Sequence, residues 1–365
     1  MSPLHLSLFF SKGLSLRFWD EVGMIHRELA LYKKLQDLNI KIDFITYGGP
    51  SEADYSSIIP GINILSNHLK LPNYLYEKFL HRIHGKFLKM TDIIKTNQMK
   101  GADIAFRSSK FWEKSLITRC GYMWSEFLKN DGNSYTKAKN YENRVFKSSK
   151  RIIVTTDEMK KNILCRLPML GEKTSVIPNY VEIDRFIPNN NVNKKYDLLF
   201  VGRLTEQKNI ESLLYALKSC QLKTMIIGNG PQNKLVQDFL QSSKGKICWK
   251  EKVPNSELPQ IMNDSSIFIL PSHYEGHPKT LIEAMACGMP VIGANSTGIK
   301  ELIKHGENGF LCSADPESIR DSLETVYSNP EFALKLGENA RDFAVKNFSL
   351  DRIVEMEMDL YRKII

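Results

Sequence analysis

The segment Leu270–Gly293, LPSHYEGHPKTLIEAMACGMPVIG, carries two carboxylates, Glu275 and Glu283, with seven residues between them. Between them the main chain offers the N–H groups of Gly276, His277, Lys279 and Thr280, while Pro278 has none to give. Amides gathered at the start of a helix bind anions, most often phosphate, because they point outward at the positive end of the helix dipole. Carboxylates beside such a site repel a phosphate unless they face neutral hydroxyls. The combination therefore suits a sugar joined to a phosphate. The carboxylates would accept hydrogen bonds from sugar hydroxyls, while amides and cations hold the phosphates.

To deliver these groups the segment must fold as strand, loop and helix. Ile267–Leu270 is a short apolar run that stops at Pro271, as a buried strand does. Pro278 suits the first turn of a helix, and Leu281, Ile282, Ala284 and Met285 give that helix a packed face. Gly288 ends it, and Pro290-Val291-Ile292 opens the next strand. The same alternation runs through the chain. Leu4–Phe10 reads as a strand, Ser11–Ser15 as a turn, Trp19–Leu38 as a helix and Ile40–Thr46 as a second strand. That βαβ opening predicts a parallel sheet. Gly13 in the turn is either a plain turn glycine or a place where backbone approaches a diphosphate. Later strands run into loops at Asn97–Gln98 and at Arg119–Tyr122. Arg151–Thr156 is another strand, with Asp157 expected to cap the following helix. Asn189–Lys195, NNNVNKK, is polar and unpatterned and reads as a linker between domains 1–190 and 191–348. Beyond it lie strands at Asp197–Val201, Thr224–Ile227 and Ile247–Val253. Ser349-Leu350-Asp351 starts a last helix.

The Glu-x7-Glu pattern in EGHPKTLIEAMACGMPVIG resembles the signature of glycosyltransferase family 4, nucleotide-sugar-dependent enzymes of GT-B fold. His277 and Pro278 stand where many members carry an aromatic and a glycine. Ser175–Val181 is similar to the VIPNGV segment of the family, Gly202–Lys208 to its VGRL-to-Lys motif, and Gly228-Asn229-Gly230-Pro231 to its GxGP loop. The resemblance implies two Rossmann-like domains facing across a cleft. The last helix, 349–365, would return to the N-terminal, acceptor-binding domain. It implies transfer of a sugar from a UDP- or GDP-sugar to a hydroxyl acceptor, with retention of anomeric configuration. Arg203 and Lys208 would hold the diphosphate, Glu275 the sugar and the positive charge growing on its ring, and Glu283 the ribose. Gly202, Gly228, Gly276, His277, Pro278, Lys279 and Thr280 would line the nucleotide-sugar site, with Lys252 and Val253 near the base and Gly13 against donor or acceptor. Asn97, Gln98 and Arg119 become contacts for acceptor or sugar, or else are surface groups. No histidine stands near Asn97, where members often place one, so the donor sugar's far hydroxyl has no assigned partner.

Composition is that of an ordinary globular chain, with 365 residues, 42% hydrophobic and 25% charged. Six scattered cysteines without a CxxC argue against a zinc site or a disulfide scaffold and for a reducing cytoplasm. No Asp-x-Asp stands at a strand end, so neither a metal nor another cofactor is expected beyond the nucleotide sugar. The Leu4–Phe10 run is too short for a signal peptide and lacks a basic start. Net charge is +9, and residues 1–190 hold all the excess, with 29 Lys and Arg against 19 Asp and Glu. Within them Tyr74–Thr96 reads as a basic amphipathic helix, with Lys78, Arg82, Lys86 and Lys89 among Phe79, Leu80, Ile83, Phe87 and Leu88. Such a helix is either a solvated face or a contact with the anionic inner membrane surface beside a lipid-linked or other cell-surface glycan acceptor. The basic half shows no aromatic–basic recognition motif for nucleic acid. Other readings stay open: a GT-B epimerase or phosphorylase, or a silent partner in a glycan-assembly complex.

Overall fold

The computed structural model describes residues 3–364 apart from 131, 133, 190, 191, 243 and 244. It forms two compact units, Met1–Pro178 with Val354–Ile365, and Asn179–Ile353. The expected boundary at 190/191 falls on residues outside those described, and residues 179–189 go with the second unit. Val181 and Phe186 are buried in that unit's core, and Arg185 bonds Asn255.

The first unit holds seven strands: β1 His5–Phe9, β2 Lys41–Ile45, β3 Ile62–Leu65, β4 Ile93–Thr96, β5 Ser115–Cys120, β6 Arg151–Val154 and β7 Thr174–Val176. They pair in parallel in the order β3-β2-β1-β4-β5-β6-β7. The second unit holds β8 Tyr196–Val201, β9 Thr224–Ile227, β10 Ile247–Lys250, β11 Ser265–Leu270, β12 Val291–Ala294 and β13 Phe310–Cys312. Their order, β10-β9-β8-β11-β12-β13, is again parallel throughout. Both are doubly wound sheets, with strand order reversing beside the first strand of each unit. Ligands of such sheets bind outside the carboxyl ends of the strands at that switch point. There the loops after β1 and β4, and after β8 and β11, run side by side.

Several local expectations are corrected. The helix expected over Trp19–Leu38 is two helices, Leu16–Glu21 and Ile25–Asp37, parted at Gly23, whose φ of 72° an ordinary helix cannot hold. The basic stretch Tyr74–Thr96 is also split, into Asn73–Ile83 and Gly85–Met90 followed by β4. A side chain on Gly85 would meet the Trp112 indole at 2.9 Å, so the break seats two short helices against the helix Ala102–Trp112. Thr156, not Asp157, caps the helix Asp157–Arg166, its hydroxyl accepting from the Met159 amide at 3.2 Å. Pro278 is the cap residue rather than the first helical one, and the helix runs Lys279–Ala286. The last helix, Leu350–Arg362, starts in the second unit and ends in the first. No helix among the described residues is long and apolar enough to cross a membrane.

Candidate active site

The turn after β8 and the loop after β11 are laced together. The Gln207 amide donates to the Tyr274 carbonyl at 2.8 Å, and the His273 N–H donates to the Gln207 carbonyl at 2.9 Å. Asn209, at φ 54°, sends its side-chain amide to the carbonyls of Pro271 and Ala314. These contacts bring Lys208 and Glu275 together, with the ammonium 2.5 Å from the carboxylate and both groups almost buried. A charge-assisted bond this short, with little water around it, fixes both side chains. Sequence reasoning named both residues but placed Lys208 on a diphosphate and Glu275 on a sugar. In the structure they hold each other.

Arg203 follows Gly202 at the end of β8 and is exposed. Its side chain makes no hydrogen bond or ion pair among the described residues. It is a cation at a switch point that nothing neutralises. Gly202 is placed by Gly228, whose φ is +155° and whose hypothetical Cβ would lie 1.8 Å from the Gly202 carbonyl oxygen. Only glycine allows that approach. The Gly228 carbonyl accepts from the Trp249 indole at 2.8 Å, and the Asn229 amide from the same loop donates to Glu251 at 2.6 Å. Lys252 is exposed beyond β10, and Val253 is partly buried against the core.

The helix Lys279–Ala286 has no side-chain cap, so its first amides keep no protein acceptor of that kind. The loop ahead of it is pinned on three sides. Glu275 donates its amide to the Thr297 carbonyl at 2.9 Å, Gly298 packs so that a Cβ would lie 2.5 Å from the carbonyls of Glu275 and Gly276, and Asn179 bonds the His277 carbonyl at 2.6 Å. The His277 ring stands edge-on to Phe348 at 5.0 Å, and Lys279 lies 5.2 Å from the Tyr180 ring. Thr280 is half-buried at the helix start, and Glu283, one turn further, is only 1% exposed. At the other end Arg341 reaches the Ala286 and Phe186 carbonyls, and Gly288 and Gly337 meet backbone to backbone. The helix is thus held at both ends, with no side-chain cap at its N-terminus.

In the first unit the expected loops also sit at the carboxyl ends of strands, but their side chains are partly committed. Gly13, at φ +81°, has open space where a Cβ would stand. The helix start beside it is already filled, because Glu52 accepts from the amides of Leu16 and Arg17 at 2.8 and 3.1 Å. That carboxylate fills the helix start beside the Gly13 turn, a contact sequence reasoning missed. Gln98 accepts from the Gly121 amide at 2.8 Å and so ties the loop after β4 to that after β5. The Asn97 amide donates to Phe9, and that of Arg119 to the Thr96 hydroxyl. Among the described residues no cluster of three His, Cys, Asp or Glu side chains is gathered as a metal ion would require.

The profile of the family described as glycosyl transferases group 1 matches residues 182–343. A glycosyltransferase of Methanocaldococcus jannaschii is 24% identical over 347 residues, covering 92% of each chain. The Escherichia coli UDP-Gal:alpha-D-GlcNAc-diphosphoundecaprenol alpha-1,3-galactosyltransferase is 28% identical over 59% of this chain and 60% of its own. The fold superposes on that of Anabaena HepE in complex with UDP and glucose with a TM-score of 0.76, at 17% identity, over 98% of this chain and 99% of the other. The match to glycosyl transferases group 1 covers the residues that carry the Lys208–Glu275 pair and the helix behind it, and with these likenesses the protein is a glycosyltransferase of GT-B fold.

Proposed function

We propose that the chain transfers a sugar from a UDP- or GDP-sugar to a hydroxyl of a glycan, lipid-linked or otherwise destined for the cell surface, with retention at the anomeric carbon. The observation that carries the reading is the Lys208–Glu275 pair at 2.5 Å beside an uncapped helix and an unneutralised Arg203. In this reading the diphosphate takes the helix amides and the Arg203 guanidinium, and Lys208 turns one of its three protons toward it without leaving Glu275. Glu275 accepts from sugar hydroxyls and faces the ring as positive charge develops. Glu283 accepts from the ribose, and Lys252 and Val253 border the base. Asn97, Gln98 and Arg119 belong to the acceptor side. The bond from the anomeric carbon to the phosphate oxygen breaks with its electron pair going to the diphosphate. The acceptor oxygen bonds the same face, and its proton passes to the departing phosphate oxygen. No separate base is needed, and Arg203 and Lys208 supply the charge stabilisation that a metal gives other transferases. Support for UDP and for a lipid-linked acceptor comes from the galactosyltransferase and from HepE.

The basic face of the first unit fits contact with an anionic membrane surface on the cytoplasmic side. Tyr74, Phe79, Met90 and Phe111 are exposed among the exposed cations Lys78, Arg82, Lys86 and Lys89. Arg82 lies 5.7 Å from the Phe111 ring. Apolar side chains flanked by cations are what a headgroup layer takes up. The test of the main reading is a thermal-shift panel of UDP, GDP and ADP with their sugars, followed by transfer assays on lipid-linked acceptors with and without EDTA. Stabilisation by UDP or GDP and EDTA-resistant transfer are expected. Absence of affinity for every nucleotide would overturn the donor site.

A further inference from the structure

The loop after β5 leads into the helix Trp124–Asn130 and leaves Trp124 37% exposed. Its surroundings are nonetheless fixed. The next residue, Ser125, donates both amide and hydroxyl to the buried Glu142 carboxylate at 2.9 and 2.6 Å, and Arg166 closes the same carboxylate at 3.1 Å. Beside Glu142 on the helix Thr136–Ser148, Tyr141 stands edge-on to Trp124 with ring centres 5.9 Å apart. The Tyr141 hydroxyl donates toward the Met99 carbonyl and the Asp103 carboxylate, each at 3.0 Å. Arg144, exposed, lies 6.0 Å from the Tyr141 ring. The helix also carries Lys137, Lys139 and Lys147, and its one acid, Glu142, is spent inside, so the charge it shows to water is positive throughout. An exposed indole whose neighbour Ser125 is fixed and which stands against the Tyr141 ring offers a surface to a ligand. It follows the carboxyl end of β5, the strand next to β4 at the switch point of the sheet.

Within the glycosyl-transfer reading above, we propose that Trp124 is the platform for the acceptor's sugar ring. Arg144, which shares the Tyr141 ring with Trp124, takes an anionic substituent beside it, a phosphate or a carboxylate. The C–H face of a pyranose is apolar and slightly positive and lies flat on an indole, whose face is negative. The guanidinium forks onto either kind of oxyanion. The acceptor is therefore an anionic sugar rather than a neutral one.

The test is calorimetric titration of the full chain, saturated with UDP to block the donor site, with glucose 1-phosphate, glucuronic acid and methyl glucoside. Wild type is expected to bind at least one of the anionic sugars about fivefold or more tighter than methyl glucoside, and the tighter of the two names the anion. Trp124→Ala should weaken all three roughly tenfold, and Trp124→Phe should restore part of the loss. Arg144→Gln should erase the preference for the charged sugars while sparing methyl glucoside. Unchanged binding in Trp124→Ala overturns the proposal, as does inorganic phosphate binding as tightly as glucose 1-phosphate. The same titrations without nucleotide on Arg203→Ala separate the two readings. If UDP and GDP fail to bind wild type, the donor reading falls alone, because Trp124-dependent sugar binding in Arg203→Ala does not pass through the donor site.

Discussion

At the scale of single residues, the Lys208–Glu275 pair decides how the site responds to mutation. On the proposed mechanism Glu275→Ala removes the group that meets the developing charge, and it leaves the almost buried Lys208 ammonium without its partner. Its kcat should fall a hundredfold or more, about 3 kcal/mol. Lys208→Ala should raise the KM for donor and also lower turnover at saturation, while Lys208→Arg keeps much of both. Steady-state kinetics with the donor found by the thermal-shift panel reads the split, and wild-type turnover in Glu275→Ala would end the assignment. Two histidines of the first unit give a second residue-scale test, with opposite signs. Hydrogen bonding to the buried Asp43, 2.8 Å away, raises the His5 pKa above 6.5. The fold thus favours the protonated form, and the stability it contributes is whole below pH about 6.5 and lost as pH rises through the folded value. Burial, with Nε2 2.9 Å from the Tyr76 hydroxyl, lowers the His84 pKa from 6.5 to about 4. Its contribution is whole above 6.5 and lost as pH falls toward 4, on the order of 3 kcal/mol. Urea unfolding from pH 4 to 8 should therefore show a shallower alkaline limb in His5→Gln and a shallower acid limb in His84→Gln. Parallel curves for all three proteins would refute both signs.

At the scale of elements, the turn after β8 is held by a backbone approach at Gly228 as well as by the Gln207 and Asn209 side chains. Gly228→Ala would drive a methyl into the Gly202 carbonyl and must move the turn that carries Arg203. A loss of about 1–3 kcal/mol in stability is expected, together with weaker UDP or GDP affinity. Calorimetry and thermal melting measure both, and wild-type affinity would show that the turn tolerates displacement. These elements were also the most legible part of the sequence. Buried parallel strands are short apolar runs, and the strand–loop–helix unit around Glu275 announces itself through Pro271, Pro278 and Gly288, because proline and glycine restrict the backbone locally. Contacts between distant residues leave no such mark. The Glu52 carboxylate fills a helix start 36 residues away, the Gln207 staple crosses to β11, and Trp124 stays exposed because Glu142 anchors its neighbour. The split at Gly23 was missed because the apolar spacing continues across it, and the cap at Thr156 because a threonine and an aspartate stand side by side where either could serve.

At the scale of the whole molecule, the chain passes from the first unit to the second after Pro178 and returns after Ile353. Just inside the second unit both passages lie together, the Val181 N–H donating to the Phe348 carbonyl and the Val181 carbonyl accepting from the Leu350 N–H. What the returning helix brings to the first unit is a charge. Glu357, fully buried, accepts from the Lys95 ammonium on β4 at 2.6 Å, and Tyr361 meets the same nitrogen at 3.1 Å. Burial pulls the Lys95 pKa down, and Glu357 opposes that pull. The last helix therefore supplies the counter-charge for a fully buried Lys95, and the C-terminus becomes part of the first unit's stability. Glu357→Ala should leave the cation buried without a counter-charge and cost about 3–5 kcal/mol in urea unfolding. Lys95→Met with Glu357→Leu replaces the pair by apolar groups of similar size and should recover most of that loss, since a buried ion pair contributes little beyond cancelling its own desolvation. UDP or GDP affinity, which the proposed donor site assigns to residues 202–283, should stay at the wild-type value in both. A double variant no more stable than Glu357→Ala would mean that side-chain packing, and not charge, seats the helix.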